Sequence, residues 1–107
     1  MSAPGSGADG PAAAVPGGPH AARVVAVVNK RGLHARAAAR FVKLAGQFAA
    51  QVSVAKGDAV VSGNSIMGLM MLAAGKGSAI EIRASGNEAA SALDALSALV
   101  AGKFDEE

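Results

Sequence analysis

Val24-Val25-Ala26-Val27-Val28-Asn29-Lys30-Arg31-Gly32-Leu33-His34-Ala35-Arg36-Ala37-Ala38 changes character twice within fifteen residues. The apolar, mostly β-branched run Val24 to Val28 reads as a buried strand that stops at Asn29. Asn29 to Leu33 reads as a loop, with Gly32 as its tight-turn residue. From Ala35 to Phe48 the apolar positions Ala38, Phe41, Val42, Ala45 and Phe48 recur at helical spacing, with Gly46 weakening the last turn. One histidine, His34, therefore sits where a loop runs into a helix, with cations on both sides.

Outward from that corner the periods alternate again. Val52 and Val54 interleave with Gln51 and Ser53, Lys56-Gly57 punctuates, and Val60-Val61 follows, which predicts a hairpin. Asn64-Ser65 precedes Ile66-Met67-Gly68-Leu69-Met70-Met71-Leu72, a short helix with Ser65 as N-cap. After Gly75-Lys76-Gly77, Ile80 and Ile82 alternate with Glu81 and Arg83 in a half-buried strand. Asn87 is expected to cap a last helix that carries Glu88 in its first turn. Ala89, Leu93, Leu96 and Val100 form its buried stripe, and Gly102 with Lys103 closes it. The order is βαββαβα. With short loops this predicts an α+β fold, a mostly antiparallel sheet with helices on one face.

Composition sets the outer limits. The chain has 107 residues, enough for one domain. Residues 1–21 hold all four prolines and many small residues, and read as a disordered Ala/Gly/Pro-rich tail ahead of a domain over 22–107. No basic and apolar leader pattern marks a secretory signal, and no stretch approaches the length of a membrane span. Three phenylalanines are the only aromatic residues, so the core must be mainly aliphatic. The absence of cysteine excludes thiolate chemistry and a disulfide framework, which fits a cytoplasmic protein. The formal net charge is only +2, yet Lys30, Arg31, Arg36 and Arg40 fall within eleven residues. The basicity is local.

A helix start offers unpaired N–H groups and the positive end of the helix dipole, which favours anions. Arg36 stands in that first turn against the local electrostatic preference, which points to function as the reason for its choice. A neutral imidazole beside such an anion site is a candidate phosphoryl acceptor, because the attacking nitrogen needs a free lone pair. The helix terminus and nearby cations disfavour imidazolium, so a neutral ring is expected at pH 7. After transfer the first-turn N–H groups and Arg36 can receive the added negative charge. No neighbouring residues have metal-ligand spacing, and His20 stands in the tail without sequence partners. Two plainer readings stay open on local chemistry. His34 can be an ordinary N-cap on a solvated basic face, or the four cations can form a nucleic-acid patch, though no Tyr, Trp or loop Phe supports stacking.

Gly32-Leu33-His34-Ala35-Arg36-Ala37-Ala38 resembles the active-site motif of the HPr family, the histidine phosphocarriers of the bacterial phosphotransferase system. The likeness continues through Arg40-Phe41-Val42 and Ser65-Ile66-Met67-Gly68 and spans residues 22–103. It implies an open-faced β-sandwich, a four-stranded antiparallel sheet with three helices on one face. It implies that His34 takes a phosphoryl group on Nδ1 from enzyme I, which draws it from phosphoenolpyruvate, and passes it to an enzyme IIA component. Arg36 would steady the group in transit. Such a chain is a stoichiometric carrier, without cofactor, turnover of its own, nucleic acid or membrane insertion, and expected to be a monomer. The family usually has proline after the arginine; Ala37 stands there, which bears on the choice of partners more than on the chemistry.

Ser65 has an ordinary role as a helix cap, worth about 1 kcal/mol. The resemblance adds a second: modification by an HPr kinase/phosphorylase, which would place negative charge on the docking face. In the same helix most side chains are expected in the core and one or two exposed, with Ile66, Met67 and Met70 the expected docking set. Arg40 and Lys43 would form a steering rim. The alternative to the carrier is a regulatory binding module of a nitrogen- or carbon-signalling branch, acting mainly through the Ser65 face. A third class, a small RNA-binding domain, would show steeply salt-dependent affinity for nucleic acid.

Overall fold

Why the first strand is not buried on both sides follows from its place in the sheet. The computed structural model describes residues 20–106, except for the side chain of His20. Strand β1 (His20–Ala26) is followed by α1 (Ala35–Ala45), β2 (Gln51–Lys56), β3 (Ala59–Ser62), α2 (Ile66–Met71), β4 (Ala79–Ser85) and α3 (Ala89–Ala101). The strands form one antiparallel sheet in the order β1-β4-β2-β3. The tail read over 1–21 lies outside the described residues except for His20 and Ala21, which already belong to β1.

β1 is an edge strand, so it is not the buried run over Val24–Val28 that its composition suggests. Val24 pairs with Glu81 on the sheet face opposite the helices and is 65% exposed. Val27, past the regular ladder, is the fully buried member; it donates to Ser78 O at 2.8 Å and its carbonyl accepts from Gly77 N at 2.7 Å. The other face of the sheet carries Val52, Val54, Ile80, Ile82 and Ala84, all buried under the helices. Against it packs α3 through Leu93, Leu96 and Val100, and α1, set against α2 and α3, adds Ala38 and Phe41 to the same core. Among the described residues this is the α+β, βαββαβα arrangement that the periodicity predicts, with four strands and three α-helices.

The β2–β3 hairpin closes through Gly57-Asp58, with Lys56 opposite Ala59. Ser65 caps α2 as expected, its Oγ accepting from Gly68 N at 2.9 Å. Asn87 does not cap α3. Glu88 occupies that position without a side-chain cap bond, because its carboxylate accepts from Ala49 N at 2.6 Å and ties α3 to the connection between α1 and β2. A tertiary donor wins over the local one.

α3 closes at Gly102 as expected, but not through a left-handed glycine. Gly102 keeps φ −86°, and the left-handed conformation falls on Lys103, Phe104 and Asp105, with φ of 62°, 55° and 64°. Each non-glycine residue there costs roughly 1–2 kcal/mol. The turn is held by burial of Phe104, which is 0% exposed and worth about 1.5–3 kcal/mol. Arg40 Nη1, from α1, donates to the Phe104 carbonyl. The chain is thereby turned back toward the start of α1.

Candidate phosphoryl-acceptor site

His34 is the N-cap residue of α1, extended at φ −76° and ψ 178°, and its side chain makes no capping bond. Its carbonyl starts the helix by accepting from Ala38 N at 2.8 Å. The residues before it are fixed from outside. Leu33 N donates to Ala74 O at 2.9 Å, and Gly32 lies so close to the same carbonyl that a Cβ would overlap it and stand 2.7 Å from Gly75 Cα. Only glycine fits there, at φ +64°. The loop reading of Gly32 therefore has a specific cause: the acceptor loop is packed against the loop between α2 and β4.

Around the imidazole the structure adds residues that linear reading missed. Glu106 Oε2 contacts His34 Nε2, with His34 retaining 16% and Glu106 10% side-chain exposure. Asn29, fully buried, donates from Nδ2 to Gly32 O at 2.9 Å and to Glu106 Oε1 at 3.0 Å. One amide thus holds both the acceptor loop and the carboxylate. Burial alone would raise the Glu106 pKa, but hydrogen bonds from Asn29 and His34, with the positive fields of His34 and Arg31, bring it below the ordinary value. The expectation of cations alone around the ring is corrected by this carboxylate. Asn29 had a local signal, an Asx residue three positions ahead of the glycine turn. Glu106 had none, since Asp105-Glu106-Glu107 reads as a solvated acidic run.

Beside Glu106 opens a cleft of about 290 Å³ lined by Lys30, Arg31, Arg36, Arg40, Asp105 and Glu106. Four cations against two carboxylates leave it positive. Arg36 is exposed and makes no hydrogen bond or ion pair among the described residues, so its guanidinium is available to an incoming anion. Arg40 is different: it is half-buried and bound to Phe104, so it belongs to the scaffold as much as to a steering rim. Lys43 is exposed one turn further along α1.

The other candidate residues lie on α2, which packs against α1. Ser65 is half-buried with its hydroxyl engaged as a cap. Ile66 is 40%, Met67 69% and Met70 39% exposed. Met71, absent from the expected set, is the most open at 78%, and only Leu69 of this helix is buried. The expectation of a mostly buried helix is thus corrected: with α1 and β3 on one side only, α2 leaves an apolar face open.

Comparison with known proteins agrees with this geometry. Residues 21–102 match the PTS-HPr family, described as "PTS HPr component phosphorylation site". The phosphocarrier protein HPr of Pseudomonas putida is 50% identical over 86 residues, covering 79% of this chain and 96% of that protein. The phosphocarrier protein NPr of Shewanella violacea is 45% identical over 84 residues, covering 78% and 92%. Among solved structures, an HPr of Bacillus anthracis superposes with a TM-score of 0.73 at 44% identity, over 76% of this chain and 96% of that one. HPr-C-His from Thermoanaerobacter tengcongensis gives 0.78 at 39% identity, over 81% and 98%. With this fold, this corner and these relatives, the chain belongs to the HPr family of phosphocarrier proteins of the phosphotransferase system.

Proposed function

We propose that this chain carries a phosphoryl group on His34, taking it from enzyme I and handing it to an enzyme IIA component. The observation that carries the reading is the imidazole at the entry to α1, next to a cationic cleft in which Arg36 has no internal partner among the described residues. The free first-turn N–H groups and Arg36 stabilise charge that appears only when phosphorus is bound, which favours transfer over mere binding. Ile66, Met67 and Met70, with Met71 added, form the apolar docking face; flexible thioethers suit successive partners. Lys43 and, in part, Arg40 steer approach. Ser65 is the regulatory position, where an HPr kinase/phosphorylase would add charge at the head of α2 without removing the helix. A relay with enzyme I is cytoplasmic. No helix among the described residues is long and apolar enough to cross a membrane.

The test is incubation with phosphoenolpyruvate and enzyme I, followed by intact mass and acid lability. An acid-labile phosphate that disappears in His34→Ala is expected. Uptake unchanged in that variant, or no uptake by the wild-type chain, overturns the reading.

A further inference from the structure

Three features meet at one nitrogen. A left-handed turn on three non-glycine residues, Lys103 to Asp105, aims the chain back at α1. Phe104 anchors that turn with no exposed surface. Beyond it, Glu106 is brought against His34 Nε2, with its second oxygen held by Asn29. Backbone strain of this kind persists only where the surroundings impose it, and it often marks a functional constraint.

The chemistry of the contact is directional. An ionised carboxylate only accepts hydrogen bonds, so the ring nitrogen facing it carries the hydrogen. In a neutral imidazole the lone pair is then on the other nitrogen, Nδ1. His34 makes no side-chain cap bond that would occupy it. We propose that Glu106 is a positioning residue for phosphoryl transfer: its carboxylate accepts the Nε2–H of His34, fixes the ring, and leaves the Nδ1 lone pair for the incoming phosphorus. This rests on His34 being the acceptor. In the step, the Nδ1 lone pair forms the nitrogen–phosphorus bond while the bond between phosphorus and the donor atom breaks, its electron pair leaving on the donor. The Nε2 proton stays between ring and carboxylate, and Glu106 balances the positive charge the ring gains. An orienting carboxylate behind a histidine does the same in hydrolytic triads.

The experiment uses the full-length chain and its Glu106→Gln and Glu106→Asp variants, with two readouts. Imidazole ¹⁵N shifts, taken in the alkaline range where an ordinary imidazole is neutral, report the tautomer. Single-turnover transfer from phosphorylated enzyme I reports the rate. Expected are an Nε2–H tautomer in the wild type, loss of that bias in Glu106→Gln with transfer slowed on the order of tenfold, and recovery of both in Glu106→Asp. An Nδ1–H tautomer in the wild type overturns the proposal. So does Glu106→Gln if either its rate or its nitrogen shifts stay at wild-type values. Those outcomes leave the carrier reading intact, whereas a wild-type chain that takes up no phosphate overturns both.

Discussion

Replacing Gly32 by alanine tests how the acceptor loop is held, and the structure supplies its own control. At φ +64° an alanine incurs roughly 1–2 kcal/mol of left-handed strain. Its Cβ would also overlap Ala74 O and stand 2.7 Å from Gly75 Cα, both backbone atoms that cannot rotate away. The two loops must part, and the Leu33 N to Ala74 O bond of 2.9 Å goes with them. Gly57, at φ +58°, has nothing within 4 Å of the position a Cβ would take, so it carries the same strain and no overlap. Gly57→Ala therefore measures the backbone part, and Gly32→Ala should exceed it by about 2 kcal/mol from lost bonding and forced displacement. For a domain of this size that is a further drop in Tm of about 8–16 °C. With no tryptophan or tyrosine in the chain, far-ultraviolet circular dichroism in urea is the assay. Gly32→Ala should also slow phosphoryl uptake, because the substitution displaces the loop that leads directly into His34. Equal losses in the two variants, within about 0.5 kcal/mol, would refute the claim that this loop is pinned by the Ala74 carbonyl.

The further outcomes concern Ser65 and Glu106. Ser65→Ala should cost about 1 kcal/mol, with faster amide exchange in α2, because Gly68 N loses its acceptor. Ser65→Asp keeps an acceptor, so stability should stay near wild type while transfer from enzyme I slows; equal transfer rates would count against regulation through this position. The Glu106 carboxyl, followed by ¹³C NMR, should titrate below its ordinary value of 4.5, in a setting of Asn29, His34, Arg31, Lys30, Arg36, Arg40 and Asp105. A folded value lowered in this way adds stability that is present above the unfolded value and lost as pH falls through the folded one. The stability difference between wild type and Glu106→Gln should accordingly be present at neutral pH and vanish in acid. A midpoint at or above 4.5 would contradict the contact.

What the sequence by itself determined was the succession of elements and the corner that bears the histidine. Period-2 alternation at Gln51–Val54 and Ile80–Arg83 and helical spacing at Ala38–Ala45 are set by local backbone geometry, so they can be read without a fold. The cap at Ser65 and the turn at Gly32 are equally local, and the His34 to Arg36 spacing with its cations is visible in one line of residues. Tertiary structure alone decided which side of β1 is covered, since an edge strand on a one-sided sheet exposes every second residue, Val24 among them. It put Glu88 rather than Asn87 at the head of α3, with its carboxylate clasped on Ala49 N, and left Met71 open beside the expected methionines. Most of all, it joined Glu106 to His34 and Asn29, 72 and 77 residues away in the chain. No local pattern encodes that meeting. It arises because a buried Phe104 and an Arg40 bond hold three residues in a conformation that short-range sterics disfavour, and only a packed core can impose such a turn.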